Sequence, residues 1–226
     1  MPHFGLSWVR IKEHLRKTWP LYAAGMIVCL IMSNIIFSAT APKTPIEQEV
    51  LIYLADSYTV SGNLDGVAAE MLAYGQETDP TLLEIDFEDL QYSDPNEDYY
   101  SSIILMTRLA LNEGDAFLAN KFCAEQMMLQ DYYLPLEDYL ADGWLEGLDL
   151  EPVEYTSLET GETHIAGVRL DNVTALADTL GAYSPGEAVL IITPVSTNLE
   201  TSMNVIEHML TNLLEGNYAP AESTQQ

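Results

Sequence analysis

The sequence predicts an α/β protein with a single N-terminal transmembrane helix followed by one extracytoplasmic domain, a mixed sheet with helices on both faces. The run from Trp19 to Ala41 contains no charged residue and is long enough to cross a bilayer as one helix. After this run, strand-like and helix-like segments alternate, which is typical of sheets covered by helices. The run 187–193 is apolar and β-branched, as a central strand should be.

Basic residues flank the uncharged run on its N-terminal side. Arg10, Lys12, Arg16 and Lys17 precede it and are opposed only by Glu13. The positive-inside rule therefore places residues 1–18 in the cytoplasm, residues 19–41 in the cell membrane and the remaining chain outside.

The alternatives to a retained membrane anchor are a buried core helix, a cleaved signal peptide and a lipoprotein anchor. An uncharged run of this length flanked by basic residues argues against the core helix. Ala39-Thr40-Ala41 has the small residues of a cleavage site, but Pro42 would follow the cut and the apolar run is longer than that of a usual signal peptide. Cys29 follows Ile27 and Val28, where a lipidation motif requires small residues. We therefore expect the anchor to stay attached.

The outer region is strongly acidic. Residues 44–226 contain 34 acidic and three basic residues, a formal charge of −31. This charge excludes nucleic acid as a partner and opposes flat contact with anionic lipid. Cys123 is the only cysteine of the region, so a packed core must stabilise it without an internal disulfide. We expect one domain over 42–215 and a disordered tail over 216–226.

Two helices and a strand are predicted before residue 93. Thr44-Pro45-Ile46-Glu47 is a capping box with proline at the first helical position, so a helix should start there, with Val50 and Leu54 on its apolar side. The amphipathic segment from Leu64 to about Gly75 predicts a second helix. Residues 82–92 fit a strand better than a helix, although both patterns are present.

The middle of the chain predicts a regular succession of helices and strands. Its elements are a buried helix over 99–111, a short buried strand over 115–119, a helix over 121–129 and a further helical turn within 134–140. From residue 148, two strand-like segments flank a glycine-containing loop over 158–162. This layout predicts a β-hairpin at a sheet edge.

The C-terminal part predicts a helix, a strand and a last helix. Asn172 is expected to cap a short helix through Leu180, and we interpret the sequon Asn172-Val-Thr174 as that cap rather than a glycosylation site. Thr197-Asn-Leu-Glu200 is a second capping box. The helix that it opens should end at Gly216.

One long run carries a resemblance to a known family. EDYYSSIILMTRLALNEGDAFLANKFCAEQMMLQDYYLPLEDYL resembles lobe one of extracellular solute-binding proteins, in which a Gly-Asp leads from a helix into an apolar strand. HIAGVRLDN and AVLIITPVSTNLETSMNVIEHML are similar to later parts of that lobe, so the resemblance covers about residues 64–214. The sequence shows no recognisable strand before the helix at Leu64. The resemblance implies a reduced, membrane-anchored relative of about one lobe, which binds or assembles rather than delivering substrate to a transporter.

Catalytic and metal-binding signatures are missing from the sequence. It contains no nucleophile elbow, no Ser-x-x-Lys, no H-E-x-x-H, no P-loop and no dinucleotide-binding motif. Asp94, Asn96 and Asp98 reproduce the start of a calcium loop, but Tyr99 replaces its glycine and Leu105 its bidentate glutamate. We therefore predict no catalytic residue, no metal site and no cofactor.

Ligand-binding residues are expected beyond the carboxyl ends of the central strands, where ligands gather in open α/β sheets. Asn120 and Lys121 follow one such strand, and Thr193, Ser196 and Asn198 follow the other. Lys121 could hold an anionic group, being one of only three bases in this region. We expect Asn120→Ala combined with Lys121→Ala to weaken binding and to leave the melting temperature nearly unchanged.

Two functional classes remain open. The favoured class is a membrane-tethered extracytoplasmic binding or interaction module, whose partner is a membrane protein, a small solute or a peptide. The alternative is an enzyme or enzyme subunit that uses surface carboxylates as acid and base. Two carboxylates with a raised pKa in one concave pocket would favour the enzyme.

Overall fold

The computed structural model describes residues 8–40, 44–57, 64–94, 99–170, 173, 175–180 and 188–218. The chain divides into two compact units, residues 1–43 and residues 44–226.

The first unit contains one helix, α1 (Trp8–Thr40), which includes Pro20. This helix takes in the predicted membrane span up to Thr40, while Ala41 lies outside the described residues. A search of the described residues finds no helix that is both long enough and apolar enough to span a bilayer. The transmembrane span remains a prediction.

The second unit is an α/β domain, as the sequence predicts. After a short 3₁₀ turn (Ile46–Gln48), its described elements are β1 (Glu49–Asp56), α2 (Leu64–Thr78), β2 (Glu84–Gln91), α3 (Tyr99–Ala110), β3 (Ala116–Ala119), α4 (Lys121–Leu129), α5 (Glu137–Ala141), β4 (Glu151–Thr156), β5 (Thr163–Arg169), α6 (Ala175–Leu180), β6 (Val189–Ile192) and α7 (Leu199–Glu215).

The six strands form one mixed sheet in the order β2-β1-β3-β6-β5-β4. β1 is parallel to both β2 and β3, whereas β6 is antiparallel to β3 and to β5. β4 and β5 form the predicted antiparallel hairpin, and β4 lies at the sheet edge. Because β6 runs against β3, its carboxyl end meets the amino end of the parallel strands.

Apolar cores cover both faces of the sheet. On one face, Val50, Ile52 and Leu54 of β1 belong to a buried cluster with residues of α2, α6 and α7. On the other face, Tyr53 and Ala55 of β1 belong to a cluster with residues of α3 and α4. Because β1 is buried on both sides, its sequence is nearly continuously apolar instead of alternating.

The helix predicted to start at Thr44 is wrong. Only the 3₁₀ turn Ile46–Gln48 forms, and Glu49–Asp56 continues as strand β1. Val50 and Leu54 are four residues apart, a spacing that fits a helix face, but Ile52 between them is buried on the same side of the sheet. The strand that sequence reasoning did not recognise before Leu64 is therefore β1.

Most other predicted elements are confirmed within one to three residues at their ends: α2, β2, α3, β3, α4, the hairpin, β6 and α7. α3 is less buried than expected, since Tyr99 and Tyr100 are exposed. α7 ends at Gly216, as predicted, in the left-handed conformation with φ 70°. Asn172 and residues 219–226 of the predicted tail lie outside the described residues.

Candidate functional site

The predicted site residues lie at two opposite edges of the sheet. In the register of β3 against β6, Ala119 pairs with Val189 and Ala116 pairs with Ile192. Asn120 therefore follows β3 at its carboxyl edge, whereas Thr193 follows β6 at the amino edge of β3. The antiparallel direction of β6 separates two groups of residues that were expected to share one surface.

At the carboxyl edge, Asn120 is a structural residue. It is 2 % exposed, and its Oδ1 accepts a hydrogen bond from the backbone N–H of Cys123 at 3.0 Å, which caps α4. Its Nδ2 donates to the backbone carbonyl of Tyr92 at 2.7 Å. Both polar ends of the side chain are thus engaged inside the protein.

Lys121 beside it is exposed and extends its ammonium group over the ring of Phe122, 4.9 Å from the ring centroid. Cys123, in the first turn of the same helix, is fully buried, and burial raises the pKa of its thiol. The thiol is therefore a packed apolar group. The described residues at this edge fit a structural helix start better than the predicted ligand site.

At the amino edge, the structure forms a pocket of about 500 Å³. We call it the amino-edge pocket, and its lining residues come from the start of β1, from the turn that leads into β3 and from the loop after β6: Ile46, Glu49, Leu51, Leu111, Asn112, Glu113, Gly114, Asp115, Val195 and Thr197. Its volume is in the range that small-molecule sites occupy in proteins.

Asp115 joins the three strands that meet at this pocket. It is 8 % exposed, and its Oδ2 accepts a hydrogen bond from the N–H of Leu51 on β1 at 2.9 Å. Its Oδ1 accepts from the hydroxyl of Ser196 at 2.5 Å. Burial raises the pKa of the Asp115 carboxyl group, and the bonds from Ser196 and Leu51 partly oppose that rise.

Two predicted site residues, Thr193 and Ser196, bond Asp115, and a third, Asn198, bonds the first turn of the domain. Thr193 is fully buried, and its hydroxyl donates to the carbonyl of Gly114 at 2.8 Å. Ser196 bonds Asp115 directly, and Asn198 donates from Nδ2 to the carbonyls of Ile46 and Glu49, both at 3.0 Å. Thr193 and Ser196 thus hold the loop after β6 against the turn before β3, and Asn198 holds it against the start of the domain. None of the three lines the pocket, whereas Val195 and Thr197 of the same loop do.

The predicted cap at Thr197 does not form. Asn198 is the residue before α7, and its side chain makes no capping bond. The Thr197 hydroxyl instead donates to the carbonyl of Ile46 at 3.4 Å, and Thr197 lines the amino-edge pocket. The polar groups of this loop contact the neighbouring chain segment rather than their own helix.

The pocket combines negative charge with apolar surface. Glu49, Glu113 and Asp115 contribute carboxylates, and none of the described lining residues is basic. Ile46 and Leu111, also lining residues, are 73 % and 61 % exposed. The pocket therefore offers acceptors for a cation next to an uncovered apolar surface.

A network behind the pocket positions Glu113. The Arg108 guanidinium bonds Glu113 and Glu88, each at 2.5 Å. The bond to Glu113 raises the pKa of Arg108. Burial, followed by the neighbouring Glu88 carboxylate, raises the pKa of Tyr53, and the Tyr53 hydroxyl donates to Glu113 at 3.4 Å. Arg108 thus compensates part of the negative charge and fixes the loop that carries Glu113.

No group of acidic, histidine or cysteine side chains suited to a metal ion occurs among the described residues. Asp94 of the rejected calcium loop is described, but Asn96 and Asp98 lie outside the described residues.

Two further pockets, of about 490 and 580 Å³, are lined in part by the loop over residues 142–148. Leu145 in this loop is buried and has φ 62°, a strained value for a leucine. Trp144 is fixed by a bond from Nε1 to the carbonyl of Met203 at 3.1 Å. These pockets bring fewer fixed polar groups together than the amino-edge pocket, so we regard them as secondary.

Sequence reasoning missed Glu49, Glu113 and Asp115 as site residues. The available signal was Asp115 itself, because a carboxylate directly before the fully buried strand 116–119 must find partners at the strand end. Those partners, Leu51 and Ser196, lie 64 and 81 residues away in sequence. Local patterns could not identify them.

No protein-family model, curated protein or solved structure matches the chain.

Proposed function

We propose that this chain is a membrane-tethered extracytoplasmic binding module whose amino-edge pocket accepts a positively charged group attached to an apolar body. The observation that carries the proposal is the composition of that pocket. It places Glu49, Glu113 and Asp115 beside the exposed apolar side chains of Ile46 and Leu111.

Partial burial strengthens the attraction between a cation and a carboxylate. A cation about 4 Å from a carboxylate gains roughly 4 kcal/mol at the effective dielectric constant of a protein surface, several times its gain in water. Apolar contact adds about 25 cal/mol for each Å² removed from water. Ligands with both features, such as alkylammonium groups or lysine side chains of a peptide, should therefore bind better than ligands with only one.

The charge of the whole domain favours the same class of ligand. With a formal charge of −31 over residues 44–226, the domain attracts cations and repels anions over distances of about one Debye length, ~8 Å at physiological salt. The anionic ligand first expected at Lys121 is not part of the proposal.

The membrane tether rests on sequence. It is supported by the uncharged run 19–41 and by the basic residues before it. On the basis of this arrangement we place the N-terminus in the cytoplasm and the acidic domain outside. The resemblance of residues 64–214 to lobe one of solute-binding proteins supports a binding role rather than catalysis.

The enzyme alternative is weaker at this pocket. Acid–base catalysis needs a carboxyl group that is free to exchange a proton with a substrate. Both oxygens of Asp115 already accept hydrogen bonds from within the domain. This arrangement suits a carboxylate that holds the pocket walls together.

The proposal is tested by calorimetric titration of the full-length protein in a neutral detergent. Butylammonium should bind, methylammonium should bind more weakly because it lacks the apolar body, and butyrate should not bind. Glu49→Gln should weaken butylammonium about tenfold, equivalent to about 1.4 kcal/mol. The matched control is Glu154→Gln, which removes an equal charge from the exposed strand β4.

Equal binding of butylammonium and butyrate would contradict the proposal. So would an equal loss of affinity in Glu49→Gln and Glu154→Gln, because the attraction would then come from total charge and not from the pocket.

A further inference from the structure

A second concave site lies between α5, the loop that follows α5 and the N-terminal half of α7. We call it the Trp144 pocket, and its volume of about 580 Å³ is within the range of small-molecule sites. Tyr139 lines it from α5, Trp144 from the loop, and Leu199 and Met203 from α7. The pocket therefore combines two aromatic rings with two further apolar side chains.

Hydrogen bonds hold the two aromatic residues in place. Trp144 donates its backbone N–H to the carbonyl of Tyr139 at 3.0 Å and its indole Nε1–H to the carbonyl of Met203 at 3.1 Å. Tyr139 and Trp144 also pack in part against the buried core on this face of the sheet. Because these contacts already order the two side chains, a ligand that enters the pocket pays little of the entropic cost of ordering them.

Carboxylates lie beside the rings. Asp142, Glu200 and Glu207 line the same pocket, and none of its described lining residues is basic. Asp142 and Glu200 are exposed, and Glu207 is half-buried. An aromatic ring attracts a cation to its face through the ring quadrupole, and the carboxylates add a negative potential. The pocket thus suits a cation whose own surface is apolar.

Aromatic rings distinguish the Trp144 pocket from the amino-edge pocket, which has no aromatic residue among its described lining residues. A primary ammonium group carries three N–H donors, which suit the carboxylates of the amino-edge pocket. A quaternary ammonium group has no N–H donor and presents methyl groups instead. Such a cation is recognised best by the faces of aromatic side chains.

We propose that the Trp144 pocket binds a small quaternary ammonium solute. The methyl groups of this solute would contact the rings of Tyr139 and Trp144, and the three carboxylates would balance its positive charge. A lipid headgroup of the phosphocholine type is a poorer occupant, because its phosphate would meet the same carboxylates. The inference is independent of the amino-edge pocket.

The test follows the indole N–H resonance of Trp144 in ¹⁵N-labelled full-length protein in neutral detergent, because this signal reports on the Trp144 pocket. The probe is choline, and its matched control is 3,3-dimethyl-1-butanol, which has the same shape and no charge. Choline should shift the resonance saturably and bind at least about tenfold more tightly than the neutral alcohol. Phosphocholine should bind more weakly than choline.

Two variants of Tyr139 separate the effect of the ring from that of its bulk. Tyr139→Leu keeps an apolar side chain but removes the ring, so it should weaken choline about tenfold and leave the affinity of the neutral alcohol nearly unchanged. Tyr139→Phe keeps the ring and should bind choline within about twofold of wild type. Loss of the urea unfolding transition would show whether either variant fails to fold.

A variant at an exposed position decides the question even if Tyr139→Leu fails to fold. Glu200→Gln should weaken choline about threefold, because it removes one carboxylate from the pocket. Glu49→Gln, which changes the amino-edge pocket, should leave the choline affinity measured at Trp144 unchanged. The two proposals can therefore fail separately.

Equal affinities of choline and 3,3-dimethyl-1-butanol would overturn the inference, because the pocket would then select only for apolar shape. So would the absence of a saturable shift at Trp144, wild-type choline affinity in folded Tyr139→Leu, or equal losses in Glu200→Gln and Glu49→Gln. Tighter binding of phosphocholine than of choline would make the occupant a lipid headgroup and overturn the assignment to a free solute.

Discussion

The two ends of the parallel strands use their polar side chains differently. At the carboxyl edge, Asn120 satisfies its own helix start and the Tyr92 carbonyl. At the amino edge, Asp115, Ser196 and Asn198 connect segments that are distant in sequence, and a pocket of about 500 Å³ lies among them. A polar residue after an apolar strand can therefore be either a local cap or part of a site. Only the direction of the neighbouring strand distinguishes the two.

Gly114→Ala should give the largest effect at the amino edge. Gly114 has φ 88°, and a Cβ placed there would lie 2.6 Å from Cδ2 of Tyr53, whose ring is fully buried. Conformational strain and the steric clash together should lower the free energy of unfolding by about 3 kcal/mol. Urea unfolding measures it.

Gly161→Ala is the matched control. Gly161 also has a positive φ, 74°, but no atom lies within 4 Å of the added Cβ. Gly161→Ala should lower the free energy of unfolding by only about 1 kcal/mol. Equal losses in the two variants would mean that the packing of Gly114 against Tyr53 contributes nothing.

Asn120→Ala should give the largest effect at the carboxyl edge and lower the free energy of unfolding by about 2 kcal/mol. The substitution removes the cap on α4 and leaves the buried Tyr92 carbonyl without its donor. This expectation reverses the sequence-based one, in which the melting temperature stays nearly unchanged. Asn120→Ser, which restores a capping oxygen but is too short to replace the amide donor, should lose about half as much in chemical denaturation. An unchanged unfolding midpoint in Asn120→Ala would instead make Asn120 a candidate ligand contact.

The pH dependence of stability separates the edges further. Burial raises the pKa of Asp115 in the folded state above its unfolded value, so the folded chain holds this proton more tightly. The stability contributed by Asp115 is therefore complete below its ordinary pKa and is lost as pH rises through the raised pKa. The measurement compares the free energies of unfolding of wild type and Asp115→Asn at each pH between 3.5 and 7. This range begins just below the ordinary aspartate pKa of about 3.9. If the stability advantage of wild type over Asp115→Asn grew with pH, the raised pKa of Asp115 would be contradicted.

Lys121→Ala should have the smallest effect and change the free energy of unfolding by no more than about 0.5 kcal/mol. The side chain is exposed, and its contact with the Phe122 ring is weak. Butylammonium affinity should not fall, since Lys121 lies at the edge opposite the pocket. Thermal unfolding and the same titration check both expectations. A fall in stability comparable with that of Asn120→Ala would mean that the two neighbours act as one unit.

Elements with a strong local pattern were predictable from sequence. α2, α4 and α7 have amphipathic or capped sequences, and the β4–β5 hairpin has a glycine loop between its strands. β1 was not predicted because Thr44-Pro45-Ile46-Glu47 imitates a helix start, while burial on both faces removes the alternation that identifies a strand. Propensity at the first turn was overridden by the pairing of β1 with β2 and β3.

The residues around the amino-edge pocket were predicted only in part, and the reason differs from the one for β1. Thr193, Ser196 and Asn198 were recognised as polar residues after a strand; they bond residues that line the amino-edge pocket but do not line it themselves. Their association with Asp115 and Glu49, rather than with Asn120, follows from the antiparallel direction of β6. Strand direction depends on contacts across the whole sheet, which no local pattern contains.

The proposed ligand site lies at the amino edge of the parallel strands. This placement is tested by titrating butylammonium into uniformly ¹⁵N-labelled full-length protein and following the backbone amide resonances. We predict saturable shifts at Leu111, Gly114 and Val195, which line the pocket, and none at Lys121 or Phe122. Saturable shifts confined to Lys121, Phe122 and their neighbours would place the site at the carboxyl edge and contradict the claim.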